Sequence, residues 1–394
     1  MRERKGFVTY RTIAQTGYDS DLIARVEAKG GLYNSHLHLD RSGTLLSSEA
    51  PLSGLKGSEL SSISLQTKHS LIERIHESEL YYKENLRGRL REFLTGMAQG
   101  GTTKADSSAD VTGGPLDLLA LETLLELKRE MSAVIQLRVG AYSPLGFRDD
   151  EPRRWERFSQ AALQADFLMS LPERDDNQRY PEHIGFSNSV RRVLELGFEL
   201  EKDIQIHVDQ QNHELESGGE QVLEIMDSLE PPIRSKVWLV HLISPSSYEE
   251  ARFNRLVDSM RNHDVGVIVC PSAAISMRQF RSLQGPTRNS IARVLELLAA
   301  GIDVRLGSDN FMDITSPAGT LDLFKEVFVL SHALRFFDPD VLSSLAAGQK
   351  LSAYEIELVQ AHIERNYEEE KIAVSFLESS AKNAGGPPGV APTQ

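Results

Sequence analysis

The stretch YNSHLHLDRSG, residues 33–43, carries His36 and His38 two positions apart, with Asp40 and Arg41 directly behind them. On an extended chain, side chains at i and i+2 point to the same side, so both imidazoles can serve one ion. Three further residues of the same kind end short apolar runs much later in the chain: His207 in DIQIHVDQ, His241 in VWLVHLIS and Asp309 in DVRLGSDN. A pair of neutral imidazoles, a third imidazole and a carboxylate suit Zn2+ or Fe2+ and leave a coordination position for water. Cys270 is the single cysteine, which excludes an intramolecular disulfide and any multi-cysteine zinc or iron–sulfur site. A metal would therefore have to use histidine and carboxylate. The competing reading makes each histidine a separate hydrogen-bonded residue, and the gathering of this set at strand ends favours the shared site.

Those residues can meet only if the elements that carry them converge. Eight short runs, rich in β-branched residues and ending in polar ones, alternate with longer amphipathic stretches, the pattern of repeated βα units. They are GGLYNSHLHLD, GTTKADSS near 101, AVIQLRVGAYS near 133, ADFLMSLPE near 165, DIQIHVDQ near 203, VWLVHLIS near 237, VGVIVCPS near 265 and DVRLGSDN near 303. Helix-like segments such as SELYYKENLRGRLREFLTGMAQG and TRNSIARVLELLAAG lie between them, the second closing on Gly301. The pattern predicts an α/β protein with a closed (β/α)8 TIM barrel, whose carboxyl-end rim is where catalytic groups converge. An open doubly wound sheet is the alternative, but it calls for a Gly-rich phosphate loop after the first strand, and no G-x-G-x-x-G stands there. The expected division is an N-terminal extension over 1–30, the barrel over 31–338 and a C-terminal segment over 339–394. In the last, DVLSSLAAGQ, SAYEIELVQAHIERNYEEEK and AVSFLESSAKNA read as helices and GGPPGVAPTQ as a disordered end.

Composition limits the partners. The 43 basic and 57 acidic residues leave a net charge of −14, the wrong sign for gripping a phosphate backbone, so nucleic acid is not an expected partner. No run of eighteen apolar residues is present, so no membrane span is expected. The N-terminus MRERKGFVTYRTIAQTGYDSDL has basic residues but no apolar core of a secretory signal, and a cytoplasmic location is expected.

The motifs HLHLD, IQIHVD, LVHLI and LGSDN, in this order and spacing, resemble the amidohydrolase superfamily over about residues 30–340. Within it the chain is most similar to the branch of the cytosine deaminases and N-isopropylammelide aminohydrolases, through HLHLDR, the run GPTRNSIARVLELLAAGIDVRLGSDNFMD and the SDN…D form. The resemblance implies that His36, His38, His207 and Asp309 bind one divalent metal, Zn2+ first, with Fe2+ or Mn2+ as alternatives. It also implies that His241 orients water and polarises the substrate, and that no organic cofactor is needed. The fourth run, ADFLMSLPE, lacks the lysine that bridges two metals in binuclear relatives, so one ion is expected. A bound cation lowers the pKa of water from about 15.7 toward roughly 7, and a carboxylate beside it, Asp309, can take the remaining proton and return it to a leaving nitrogen.

Departures from the family pattern shift the expected substrate. Cytosine deaminases carry a proton-shuttling Glu where this chain has Gln210, and an amide cannot shuttle a proton. Asp209 or His241 could take that step, and Gln210 could hold a ring carbonyl or amide instead. The glutamine that reads a pyrimidine amide after the third strand has no counterpart in AYSPLGF, and the family's β-sandwich has no sequence counterpart here. Arg41 could bind a substrate anion or pair with Asp40. Arg278 and Gln279 lie where the branch contacts substrate, and Asn310 and Asp313 neighbour the metal Asp. Asp106 and the pair Glu173 and Arg174 read as structural ion pairs, Cys270 as a buried apolar group, and His69, His76, His183, His213, His263, His332 and His362 as surface or packing residues. The expected function is metal-dependent hydrolysis of a C–N bond in a small nitrogen-containing compound. Deamination or dealkylamination of an amino-substituted N-heterocycle comes first. Ring opening of a cyclic amide and a catalytically silent binding barrel are the alternatives, and homo-oligomers are left open.

Overall fold

The computed structural model describes residues 17–45, 60, 62–230, 235–277 and 290–383. Eight parallel strands form one sheet in sequential order: β1 (Leu32–Leu37), β2 (Thr102–Asp110), β3 (Gln136–Tyr142), β4 (Phe167–Ser170), β5 (Asp203–Val208), β6 (Val237–His241), β7 (Gly266–Val269) and β8 (Val304–Leu306). Seven lie within the runs read from the sequence, and β2 extends two residues past the end of its run, GTTKADSS. Their residues are buried almost without interruption, as parallel strands covered on both faces must be; VWLVH in β6 and GVIV in β7 are buried throughout.

The sheet closes where β1 meets the residues that follow β8. Asp309 donates its backbone N–H to the carbonyl of His36 at 3.0 Å, and its carbonyl accepts from the N–H of His38 at 3.4 Å. These bonds complete the (β/α)8 barrel. Its helices cover the sheet through one stripe each: Leu86, Leu90, Leu94 and Met97 from Lys83–Gln99, and Phe253, Leu256, Val257 and Met260 from Glu250–Asn262. The helix Val294–Ala299 ends as expected on Gly301, at φ +80°, with Ile302 N–H reaching the carbonyl of Leu297 and Gly301 N–H that of Leu298.

Helices from both ends of the described chain pack together beside β8 and β1. The helix Tyr18–Ala28 packs on Pro339–Ala346, with Arg25 paired to Asp340, and Gln349 donates to the carbonyl of Lys29 at 3.1 Å. Ser352 and Glu355 form a reciprocal cap at the start of the next helix. The Ser352 N–H donates to the Glu355 carboxylate at 2.7 Å, and the Glu355 N–H donates to Ser352 Oγ at 3.3 Å. That helix, Ala353–Asn383, joins two segments that the sequence reading kept apart. No Gly or Pro stands between Lys371 and Ala373 to break it. Val359 anchors it in the core, and residues 364–379 are exposed. All strands among the described residues belong to the barrel, so no β-sandwich occurs among them. The Gly/Pro-rich tail lies outside the described residues.

The seam leaves no room for a side chain at Gly307, where a Cβ would stand 2.7 Å from both Cβ and O of His36. Gly307→Ala is expected to cost about 1–3 kcal/mol, read as a lower urea midpoint with an unchanged slope. Gly88→Ala, on the exposed face of Lys83–Gln99 with nothing within 4 Å, is the matched control and is expected to be neutral or up to about 1 kcal/mol stabilising.

Candidate metal centre

His36 on β1, His38 just beyond it, His207 on β5 and Asp309 after β8 place one ligand atom each within 4.8 Å of one another, all four residues buried. The Nε2 atoms of His36 and His207 are 3.2 Å apart, and Asp309 Oδ1 is 3.7 Å from His36 Nε2 and 3.4 Å from His38 Nε2. Ligands on a tetrahedron with metal–nitrogen bonds of about 2.0–2.1 Å stand roughly 3.3–3.4 Å apart, so these spacings fit one zinc-sized ion.

The outer nitrogens fix the tautomers. His36 Nδ1 meets Gln205 Oε1 at 2.7 Å, and His207 Nδ1 meets the carbonyl oxygen of Ser170 at 2.9 Å. Both oxygens can only accept, because Gln205 already donates its amide nitrogen to the carbonyl of Ser35 at 3.1 Å. Each ring thus carries its proton on Nδ1 and turns an Nε2 lone pair toward the other. Burial, with the neighbouring imidazoles, holds His207 well below its ordinary pKa, which disfavours a proton shared between the rings. A cation between the lone pairs satisfies both. His38 Nδ1 is flanked by Ser108 Oγ at 2.7 Å and by the Arg41 guanidinium.

His241, at the end of β6, stands beside this set, its ring centroid 6.1 Å from that of His36 and 5.5 Å from that of His207. Its backbone, at φ +75°, lies in the left-handed region, as does that of Asp309 at φ +57°. Such non-glycine strain concentrates at functional sites. Burial lowers the pKa of His241 to about 4, and its Nδ1 is buried with no hydrogen-bond partner, so a neutral ring is poised for one. Although burial opposes it, the surrounding His36, His241 and His207 rings hold the Asp309 carboxyl below the usual carboxylate range.

A cavity of about 270 Å³ opens over the centre, lined by His38, His207, Asp309, His241 and by Arg41, Gln210 and Asn310. The structure thus brings together most of the residues singled out in the sequence. Asp209 is an exception: its carboxylate accepts the N–H groups of Gly218 and Gly219 at 2.7 and 2.9 Å, capping the helix Gly218–Asp227, and it does not line the cavity. Asp313 likewise turns away, accepting from Asn310, Thr315 and Ser316. It orients Asn310 and the loop without lining the cavity. Arg41 does not pair with Asp40; its nearest carboxylate is Asp110, 3.5 Å from Nε. Glu173 and Arg174 do not pair with each other: Glu173 accepts from the Gln210 amide at 3.2 Å, and Arg174 stacks on Tyr180. Asp106 is a structural ion pair, with Arg138 at 3.0 Å, and Cys270 is fully buried. Arg278 and Gln279 lie outside the described residues.

Several site residues escaped the sequence reading. Gln205 was legible in principle, two positions before His207 on the inward face of the same strand. Ser108 and Tyr142 line β2 and β3 in the same way. His69 reaches the cavity from the short helix Leu65–Ser70 between β1 and β2, where its sequence context resembles any surface helix. Burial, followed by nearby Arg41 and Arg174, lowers its pKa to about 3.

No family model matches the chain. N-isopropylammelide isopropyl amidohydrolase of Pseudomonas sp. strain ADP is 22% identical over 322 residues, 78% of this chain and 70% of that protein. The solved structure of 5-methylcytosine deaminase from Klebsiella pneumoniae, liganded with 5-fluorocytosine, matches with a TM-score of 0.66 at 19% identity, over 80% of this chain and 72% of that one. Zinc-complexed atrazine chlorohydrolase TrzN from Arthrobacter aurescens TC1 matches with a TM-score of 0.51 at 16% identity, over 83% of this chain and 68% of that one. The barrel is the fold these proteins share, as the sequence resemblance implied.

Elemental analysis of protein expressed with added zinc is expected to find about one ion per chain; two ions, or none, would contradict a single four-residue centre. Gln205→Leu removes the acceptor that orients His36 and is expected to weaken metal binding roughly 10–100-fold in a chelator competition, with the fold retained.

Proposed function

We propose that this protein is a mononuclear metal-dependent hydrolase that breaks a C–N bond, releasing ammonia or an amine from an amino-substituted N-heterocycle. The observation that carries the reading is the pair of buried Nε2 lone pairs of His36 and His207 at 3.2 Å, each fixed by a committed Nδ1, with the Asp309 carboxylate alongside. Three imidazoles and one carboxylate, at spacings suited to bonds of about 2.0–2.1 Å, favour Zn2+ over larger or harder cations. When bound, the ion would supply a water of lowered pKa and an electrophilic pole for the substrate.

The chain's own groups supply the remainder. Asp309 is held ionised and can take a proton from the attacking water and pass it to the leaving nitrogen. His241, neutral and unpartnered at Nδ1, faces the same cavity and can stabilise charge that develops on the substrate. Gln210 lines the cavity but cannot transfer a proton, and Asp209 is committed to its helix, so the proton path runs through Asp309 and His241. Gln210 and Asn310 offer amides to a ring edge, and Tyr142 and Leu171 offer apolar area to its faces. The deaminase and the isopropyl amidohydrolase described above supply the substrate class in this reading.

A panel of aminopyrimidines, amino- and alkylamino-triazines and lactams, assayed for released ammonia or amine, tests the reaction. Turnover of a lactam without amine release would replace deamination by ring opening. His241→Asn is expected to keep the metal and lose most turnover, whereas loss of metal in that variant would make His241 a ligand. Asp309→Asn is expected to bind metal more weakly and, with metal restored in excess, to show kcat lower by at least about 10². Near-normal kcat under those conditions would remove Asp309 from the proton path.

A further inference from the structure

We propose that the substrate is an anion, and that Arg41, Lys68 and His69 form the wall of the cavity that takes its carboxylate or ring oxyanion. This inference rests on the proposed site and narrows the substrate class within it. Among the described residues lining the cavity, Asp309 is the one carboxylate, and the metal centre claims it. Arg41, Lys68 and His69 line the same space and carry N–H donors.

Arg41 carries the most weight. It is 2% exposed, yet it faces the cavity, and its Nε is buried with no hydrogen-bond partner. The carboxylates behind it give its Nε no hydrogen bond, although Oδ1 of Asp40 and of Asp110 are themselves without a hydrogen-bond partner. Asp110 Oδ2, 3.5 Å from Arg41 Nε, meets His76 Nε2 at 2.9 Å. Asp40 Oδ2 accepts the Asp110 N–H at 3.0 Å, and Asp313 serves Asn310, Thr315 and Ser316. None gives Arg41 the two-pronged pair that a guanidinium prefers, and a buried arginine without one is costly. A planar anion entering the cavity would complete it.

The helix Leu65–Ser70 brings up the other two groups. Lys68 donates to the carbonyl of Thr315 at 3.0 Å, which fixes the ammonium at the cavity edge. His69 is kept uncharged by burial and by Arg41 and Arg174, so it stands in a region of positive potential and can donate a neutral hydrogen bond. Tyr142 and Leu171 line the same cavity and can hold a ring while its charged edge meets this wall.

The test is calorimetric binding of two probes, 6-aminonicotinate and 6-aminonicotinamide, to the zinc-loaded and to the metal-depleted protein. They share a ring and an amine and differ in one charge, and the carboxylate is too far from the ring nitrogen to chelate with it. The acid is expected to bind at least about 10-fold tighter than the amide in both forms. Lys68→Gln and Arg41→Gln are each expected to shrink that ratio toward one, chiefly by weakening the acid, with zinc content reporting an intact centre. Arg41 touches His38, so if Arg41→Gln fails to fold, Lys68→Gln alone decides. A ratio near one in the unmodified protein, no binding of either probe, a ratio unchanged by the substitutions, or a preference that vanishes with the zinc would each overturn the proposal. An acid preference that survives metal removal, in a protein that turns over no heterocycle, would sink the hydrolase reading and leave the anion wall standing.

Discussion

Two buried imidazole nitrogens facing each other across 3.2 Å with both lone pairs turned inward repel, and the rest of the site is arranged to keep them there. Neither ring can turn away without abandoning its acceptor: Gln205 holds one and the carbonyl of Ser170 the other. Those acceptors sit on β5 and β4, whose register is fixed by the barrel, so the repulsion is borne by the whole sheet. A site held open in this way costs stability in the bare protein. It also spares the ligands from reorganising when a cation arrives, which is the condition for tight and selective binding.

A second layer lies behind the ligands. Asp40 ties the end of β1 to β2 by accepting the N–H of Asp110. Burial and the nearness of Asp110 raise the Asp40 pKa, which eases the crowding of two adjacent carboxyl groups. His76, which its sequence context left as an ordinary helical residue, closes this layer by meeting Asp110 at 2.9 Å. The sequence order His38, Asp40, Arg41 thus encodes three roles: a member of the candidate metal set, a brace and a group lining the cavity.

What was legible in the sequence is what the strand period controls. His36, His38, His207, His241 and Asp309 each end a short apolar run, and in a parallel barrel the ends of strands converge whatever their separation along the chain. Gln205 obeys the same rule, but a glutamine within a strand carries no chemistry until its partner is seen. His69 obeys no such rule: it comes from a helix inserted between β1 and β2, and an imidazole on a short helix looks the same whether it faces solvent or a cavity. Asp209 misled for the opposite reason. It follows a ligand histidine by two positions, but a left-handed residue, φ +57°, turns its carboxylate onto the two glycine N–H groups of the next helix. Side-chain type and spacing do not reveal that turn.

The seam of the barrel constrains which chemistries this fold can host. Asp309 joins the two edges through its backbone N–H and C=O, so closure survives any exchange of its side chain that the backbone tolerates. At φ +57° glycine, asparagine and aspartate are favoured over other residues, although Leu242 and Met312 show that larger side chains also adopt it in this chain. The residues favoured at this position are therefore small groups that coordinate or hydrogen-bond. The clasp of the cylinder thus lets the charge and reactivity of its own centre vary while the barrel stays closed, at a backbone conformation that favours short polar side chains.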